Sequence, residues 1–299
     1  MGRTYGGLRS DAAAKIVMPT IADIITSGEA LLNEAGIPDP RRDSATLVRL
    51  AIRRDRAFIY SHPEYEPTEE ESRRIDEYLR RRSNREPLQY IRGTQEFYGF
   101  EFEVASDALI PRPETEMLVE RAVEILNELK EPRILDLGTG TGCIPVSILR
   151  CIPNASGLAV DISPAALGVA ARNAEMHGVL GRLKLIRSDL FEKVPNTNFD
   201  LIVSNPPYVP KGDVAHLQPE VREHEPRIAL TDESDGTSII ARIIRDSRHF
   251  LAPGGVLLVE IGFGQSERVL KFAAAYGWRS ARVEPDLQGI PRMLVATRS

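Results

Sequence analysis

Cysteine is almost absent: Cys143 and Cys151 are the two in 299 residues, and nothing with metal-ligand spacing surrounds them. That leaves no disulfide framework and no metal site to propose, and it suits a reducing, cytoplasmic compartment. No apolar run approaches the roughly 18 residues that a membrane-spanning helix needs, so no membrane partner is expected. An excess of positive charge is missing too. The net charge is −5 and the pI about 5.7, so the field of the whole molecule does not favour a nucleic-acid backbone. No stable nucleic-acid binding is expected beyond what a local basic patch would give. His177, His216, His224 and His249 show no ligand-like spacing and read as surface or structural residues. Ser-His-Asp and paired-carboxylate constellations are likewise missing. Residues 1–18 are glycine- and basic-rich and lack the apolar core of a secretory signal. They read as a disordered extension, or as the product of a start codon upstream of one near Met18.

What is present is the composition of an ordinary globular protein, 42% hydrophobic and 27% charged, long enough for two domains. From Thr20, Ile21, Ile24, Ile25, Leu31, Leu32 and Ala35 recur at three- and four-residue steps, ended by Gly36 and Pro38. This spacing predicts a helix. A second is expected over about 44–53, and a third opens at Thr68, where Thr68 and Glu71 form a capping-box signature. Residues 19–86 thus read as a small helical domain. Its run ESRRIDEYLRRRSNRE carries six arginines and four acids and reads as a solvated face. Over 87–110 the period changes to two, with Phe97, Gly99 and Glu101 opposing Tyr98, Phe100, Phe102 and Val104. A linking hairpin is expected there.

Residues 111–299 alternate strand and helix without a break: RILDL, GLAVD, LKLIRSD, FDLIVS and GGVLLVEIG are the strands, and two more close the chain. Such alternation specifies a Rossmann-like, mainly parallel sheet of about seven strands with helices on both faces and an antiparallel terminal pair. The fold class is therefore α/β.

Three loops of that sheet carry the chemistry. The strand FDLIVS is closed by Asn205-Pro206-Pro207-Tyr208, and the carboxyl rim of a parallel sheet is where ligands bind. Asn205 and the Pro206 carbonyl can hold a planar NH2 group by two hydrogen bonds, with the Tyr208 ring as an apolar wall. The socket fits an amide or an aromatic amine. The glycines of Gly138-Thr139-Gly140-Thr141-Gly142 permit a tight turn and close backbone approach at a helix start, which would serve a dinucleotide as well. Asp161 is placed for ribose hydroxyls and Asp189 for an adenine amino group. Asp136, just before the glycine loop, argues for a cationic ligand, S-adenosylmethionine. LIPRPETE holds Arg112, Glu114 and Glu116 on a proline-stiffened backbone at the mouth of this domain.

PLQYIRG, EFYGFEF, LIPRPETE, ILDLGTGTGCI, VDIS, SNPPYVP, EPRIAL, LAPGGVLLVEIG and DLQGIPR occur in that order. Together they resemble the protein-(glutamine) methyltransferases that modify peptide chain release factors, the HemK/PrmC family. The resemblance implies a helical domain for release-factor recognition and transfer of a methyl group to the glutamine of a Gly-Gly-Gln motif. It implies that Gly138 to Gly142, Asp161 and Asn205 bind the methyl donor, with Asp189 and Leu190 beside its adenine. It further implies that Asn205, Pro206, Pro207 and Tyr208 hold the substrate glutamine, with Arg112 nearby. The release factor is then the partner and a monomer the expected state. Ser234 departs from the family's glycine before Asp235-Gly236, in a segment expected to lie away from the chemistry. Three rivals share parts of this reading: a ribosomal-protein glutamine methyltransferase, a methyltransferase for exocyclic base amines, and a non-catalytic adaptor.

Overall fold

The computed structural model describes residues 18–299, which divide into two compact units between Arg85 and Glu86. The expected N-terminal extension lies, up to residue 17, outside the described residues. In the first unit, α1 (Ile21–Glu34), α2 (Pro40–Ile52), α3 (Arg56–Ser61) and α4 (Glu69–Ser83) form a small bundle. Capping boxes start two of them: Thr20 with Asp23 for α1, and Thr68 with Glu71 for α4. The second helix begins at Pro40, ahead of the expected 44, because proline's fixed φ suits a first helical position whose N–H needs no partner. Ile21, Leu32, Leu47, Val48 and Ile75 are buried between the helices, each stabilising the unit by about 1.5–3 kcal/mol. Gly28 lets α1 approach closely: a Cβ there would lie 2.4 Å from Ser44 Oγ and 2.9 Å from Leu79.

The arginine run is not simply a solvated face. Arg82 donates to buried Asp43 at 2.7 Å, Arg74 to the Ala51 carbonyl at 2.9 Å, and Arg85 to the Ala35 and Gly36 carbonyls. These guanidiniums tie α4 and its C-terminal end to α1 and α2. Charge patterning alone could not show this, since the acceptors are distant in sequence.

The second unit opens with α5 (Leu88–Arg92), where period-two structure was expected, and continues into the hairpin of β1 (Thr94–Phe97) and β2 (Phe100–Glu103). Tyr98 and Gly99, with φ of 52° and 73°, make a two-residue turn. The strict alternation read from sequence placed Phe97 opposite Phe100 and Phe102. The turn resets the phase instead: Phe97 pairs with Phe100, and Gln95 with Phe102. Opposed residues share a face, so Phe97 and Phe102 both enter the core of the second unit.

After α6 (Glu116–Leu126) come β3 (Arg133–Leu137), α7 (Cys143–Cys151), β4 (Ser156–Asp161), α8 (Pro164–Met176), β5 (Leu183–Arg187) and β6 (Phe199–Ser204). The short helices α9 (Pro219–His224) and α10 (Arg227–Leu230) lead to α11 (Ser238–Ser247), β7 (Leu251–Glu260), α12 (Ser266–Ala275), β8 (Ser280–Pro285) and β9 (Pro291–Thr297). The seven strands run in the order β5-β4-β3-β6-β7-β9-β8. The first five are parallel, and β9 is antiparallel to both neighbours. Successive side chains of a strand face opposite ways, and β3 shows it. Ile134 joins the core formed with α6, α7 and α8, while Leu135 and Leu137 join the one formed with α11 and α12.

The strand order reverses between β3 and β6, the switch point at which open α/β sheets bind ligands. Register then sets the strand ends level. Leu137 pairs with both Val160 and Ser204, and Ser204 with Val259. Gly138, Asp161, Asn205 and Glu260 therefore emerge along one rim. No helix among the described residues is long and apolar enough to cross a membrane.

Candidate active site

A cavity of about 270 Å³ opens at this rim, lined on one side by the glycine loop and on the other by Asn205, Pro206 and Pro207. Gly138, Gly140 and Gly142 all adopt positive φ, at 72°, 55° and 78°, a region that costs other residues strain. A Cβ at Gly142 would in addition sit 3.0 Å from that of Ala170. Asp161 braces the loop by accepting from the Gly140 N–H through one oxygen and from the Ser163 N–H through the other, each at 2.9 Å. Asp136 beneath is fully buried, and neither of its carboxylate oxygens has a hydrogen-bond partner. Burial pushes its carboxyl up to about 7, and the neighbouring Asp161 charge adds to the effect. An orphaned buried carboxylate facing a ligand loop needs a cation or a set of donors. The ammonium or sulfonium of S-adenosylmethionine supplies the charge, and the residues present fit that donor.

Asp189 and Leu190 line the same cavity. The strand before them ends at Arg187, not at Asp189: the Ser188 N–H makes the last ladder bond, to the Asp161 carbonyl at 2.9 Å, and its hydroxyl then folds the chain over by donating to the Leu190 carbonyl at 3.0 Å. Asp189 is paired with Arg242 at 3.1 Å, and Leu190 is held at a φ of 47°.

On the opposite wall the Asn205 Nδ2 donates to Thr115 Oγ1 at 3.0 Å, and that hydroxyl donates to Glu260 Oε2 at 2.7 Å. The Tyr208 hydroxyl donates to the other oxygen, Oε1, at 3.2 Å. Glu260 is buried at the end of β7, and burial pushes its carboxyl up to about 7. Desolvation, with the Glu260 charge, also raises the Tyr208 phenol, so Tyr208 stays protonated and serves as a donor; the cavity is lined by Asn205, Pro206 and Pro207 but not by the Tyr208 ring that the sequence offered as its wall. Its backbone carbonyl accepts from Gln265 Nε2 at 3.0 Å, while Gln265 Oε1 accepts from the Gly262 N–H at 2.8 Å.

Sequence reasoning found Asn205 to Tyr208 and missed Thr115, Glu260 and Gln265. Thr115 lies inside LIPRPETE between the two glutamates that drew attention. Glu114 is exposed, and Glu116 accepts from the Tyr98 N–H at 2.8 Å, tying the hairpin turn to α6. For Glu260 a signal existed: it is the lone acid closing an apolar run, LLVE. Arg112 lines the cavity with its Nη2 on buried Glu225 at 2.5 Å, and Glu225 also accepts from the Ile110 N–H. His177 is structural, its Nε2 on the Glu101 carbonyl at 2.8 Å and its ring against Phe100 and Phe102.

The segment around Ser234 does not lie away from the chemistry. Gly236, at φ 79°, backs directly onto the socket, and a Cβ there would come 2.2 Å from the Tyr208 carbonyl oxygen. Asp232 shapes this turn by accepting from the N–H groups of Ser234, Gly236 and Ser238. The left-handed residue beside it is Glu233, at φ 58°, and not Ser234. A serine at 234 therefore meets no backbone penalty.

A sheet that reverses between β3 and β6, with a glycine loop over a buried acid on one side of its cavity and Asn205 on the other, is that of a methyltransferase that uses S-adenosylmethionine. The comparisons with known proteins narrow this. The family model for the PrmC N-terminal domain matches residues 23–93, and that for the methyltransferase small domain matches 114–219. A release factor glutamine methyltransferase of Geobacter sulfurreducens is 40% identical over 92% of this chain and 95% of its own length. One from Cereibacter sphaeroides is 43% identical over 92% and 97%. The solved hMettl16 catalytic domain, in complex with an RNA hairpin, is 16% identical with a TM-score of 0.54, covering 77% of this chain and 81% of its own. That likeness concerns the fold. The chain belongs to the family of the release factor glutamine methyltransferases.

Proposed function

We propose that this protein methylates the side-chain amide nitrogen of the glutamine in the Gly-Gly-Gln motif of peptide chain release factors, acting as a cytoplasmic monomer. One observation carries the reading. The Asn205 amide is pinned through Nδ2 to Thr115, which leaves Oδ1 as the atom that meets a ligand in the cavity.

A glutamine amide nitrogen is a poor nucleophile because its lone pair is delocalised into the carbonyl. Asn205 Oδ1 and the Pro206 carbonyl accept its two N–H groups and fix the nitrogen in place, with Pro207 as a wall. Bound S-adenosylmethionine supplies a methyl group on a positively charged sulfur, which becomes a neutral thioether when that C–S bond breaks and the N–C bond forms. Gly138, Thr139, Gly140, Thr141 and Gly142 would hold the donor by backbone, Asp136 would offer the counter-charge, and Asp161 would hold the ribose. Leu190 and Asp189 would hold the adenine. Arg112, held by Glu225, presents its remaining donors to the substrate backbone. Most of the rate comes from orientation. The positive charge that grows on nitrogen is met by the two carbonyl dipoles, and the surplus proton leaves to water once the new bond has formed.

The test is transfer of labelled methyl to a release factor by wild type and Asn205→Ala. Turnover should fall by about 100-fold or more, the scale of losing one aligned polar group at a reacting centre. The donor's Kd should stay within a few-fold. Near-normal turnover of Asn205→Ala would refute the socket.

A further inference from the structure

We infer that Thr115 and Glu260 are positioning residues that set which way the Asn205 amide faces, and that Glu260 must be ionised to do so. This role deepens the function proposed above and rests on it. An ionised carboxylate only accepts hydrogen bonds, and a threonine hydroxyl has a single proton. With that proton committed to Glu260 Oε2 at 2.7 Å, Thr115 Oγ1 can only accept from Asn205, which it does at 3.0 Å. The Asn205 NH2 is thereby drawn to the wall and Oδ1 is turned to the cavity, the orientation that receives a substrate N–H. A protonated Glu260 removes the constraint. It can donate to Thr115, whose proton then goes to Asn205 Oδ1, and the flipped amide presents N–H groups to another NH2.

The rest of the surroundings agree. Tyr208 donates to the second carboxylate oxygen, so both ends of the Asn205–Tyr208 loop hang on one carboxylate. Four groups face Glu260: Thr115 and Glu114 ahead of α6, Tyr208 after β6, and Arg292 of β9, itself paired with Asp286 at 3.4 Å. Arg292 favours the ionised form, whereas Glu114 and burial oppose it. The carboxyl consequently titrates at about 7, and the switch between the two amide orientations falls near neutrality.

Thr115→Val keeps the shape and removes the hydroxyl. Thr115→Ser keeps the hydroxyl. With release factor as substrate at pH 8, Thr115→Val should lower kcat about 100-fold, leave the Kd of S-adenosylmethionine within a few-fold, and be rescued by Thr115→Ser. Unchanged donor binding shows that the variant is folded. Wild-type kcat, measured at saturating S-adenosylmethionine so that Asp136 and donor binding do not enter, should fall as pH drops below about 7, and Glu260→Gln should flatten that limb. Asn205→Ala is assayed beside them. Normal kcat in Thr115→Val with slow Asn205→Ala overturns this inference alone, and so does an acid limb that survives in Glu260→Gln. Normal kcat in both Thr115→Val and Asn205→Ala overturns the socket reading as well.

Discussion

Two buried acids, Asp136 beneath the glycine loop and Glu260 behind Thr115 and Tyr208, pull stability and function apart. Each holds its proton to about 7 in the folded protein, while in the unfolded chain each ionises near its ordinary value, about 4. Between those values the unfolded state binds fewer protons, so stability falls as pH rises through the window and levels off above it. Asp136→Asn should therefore raise Tm at pH 8 more than at pH 5, with a gain of about 2–4 kcal/mol at the upper end. It should also weaken donor binding at pH 8. Thermal melts at the two pH values, with calorimetric titration of S-adenosylmethionine, check both. Equal melting shifts at the two pH values would remove burial as the cause. Gly236 is the second residue whose role follows from one contact. A Cβ would lie 2.2 Å from the Tyr208 carbonyl oxygen at a φ of 79°. Gly236→Ala should cost about 1–3 kcal/mol and displace the socket, lowering kcat in a methyl-transfer assay while donor affinity holds. Unchanged kcat would mean that the turn yields without moving Tyr208.

At the scale of elements, strand positions were legible where period and punctuation agreed. RILDL, GLAVD and FDLIVS each end at the loop that the sequence marks, because a buried parallel strand is a short apolar run that glycine or proline closes. The hairpin was less legible. Alternation shows that strands are present, but only the turn geometry at Tyr98-Gly99 tells which aromatic residues share a face. The candidate site divided the same way. Asn205 to Tyr208 and the glycine loop are contiguous and could be read, whereas Thr115, Glu260 and Gln265 join them only after register brings distant loops to one rim. In the helical unit the same limit hid the Arg82 to Asp43 pair, in which both side chains are largely buried and 39 positions separate the partners. That pair joins α4 to α2. Asp43→Ala takes the carboxylate from a buried guanidinium and should cost about 3–5 kcal/mol, seen as a lower denaturation midpoint. A change under 1 kcal/mol would show that Arg82's other contacts hold α4 in place.

For the whole molecule, two compact units follow one another in the chain. The rim of the sheet in the second holds the glycine loop and Asn205 within one cavity, and a helical bundle precedes it in the chain. The acidic balance of −5 gives no general attraction to nucleic acid, which sets this chain's proposed substrate apart from the RNA in the structurally similar hMettl16 complex. What is methylated is therefore the central question, and mass spectrometry answers it most directly. A release factor is incubated with the purified protein and S-adenosylmethionine, digested, and its mass gain mapped to a residue. One added methyl on the glutamine of the Gly-Gly-Gln motif, absent with Asn205→Ala, is the predicted result. An unmodified glutamine there, with methyl appearing instead on ribosomal protein or on RNA, would keep the donor pocket and contradict the assignment of substrate.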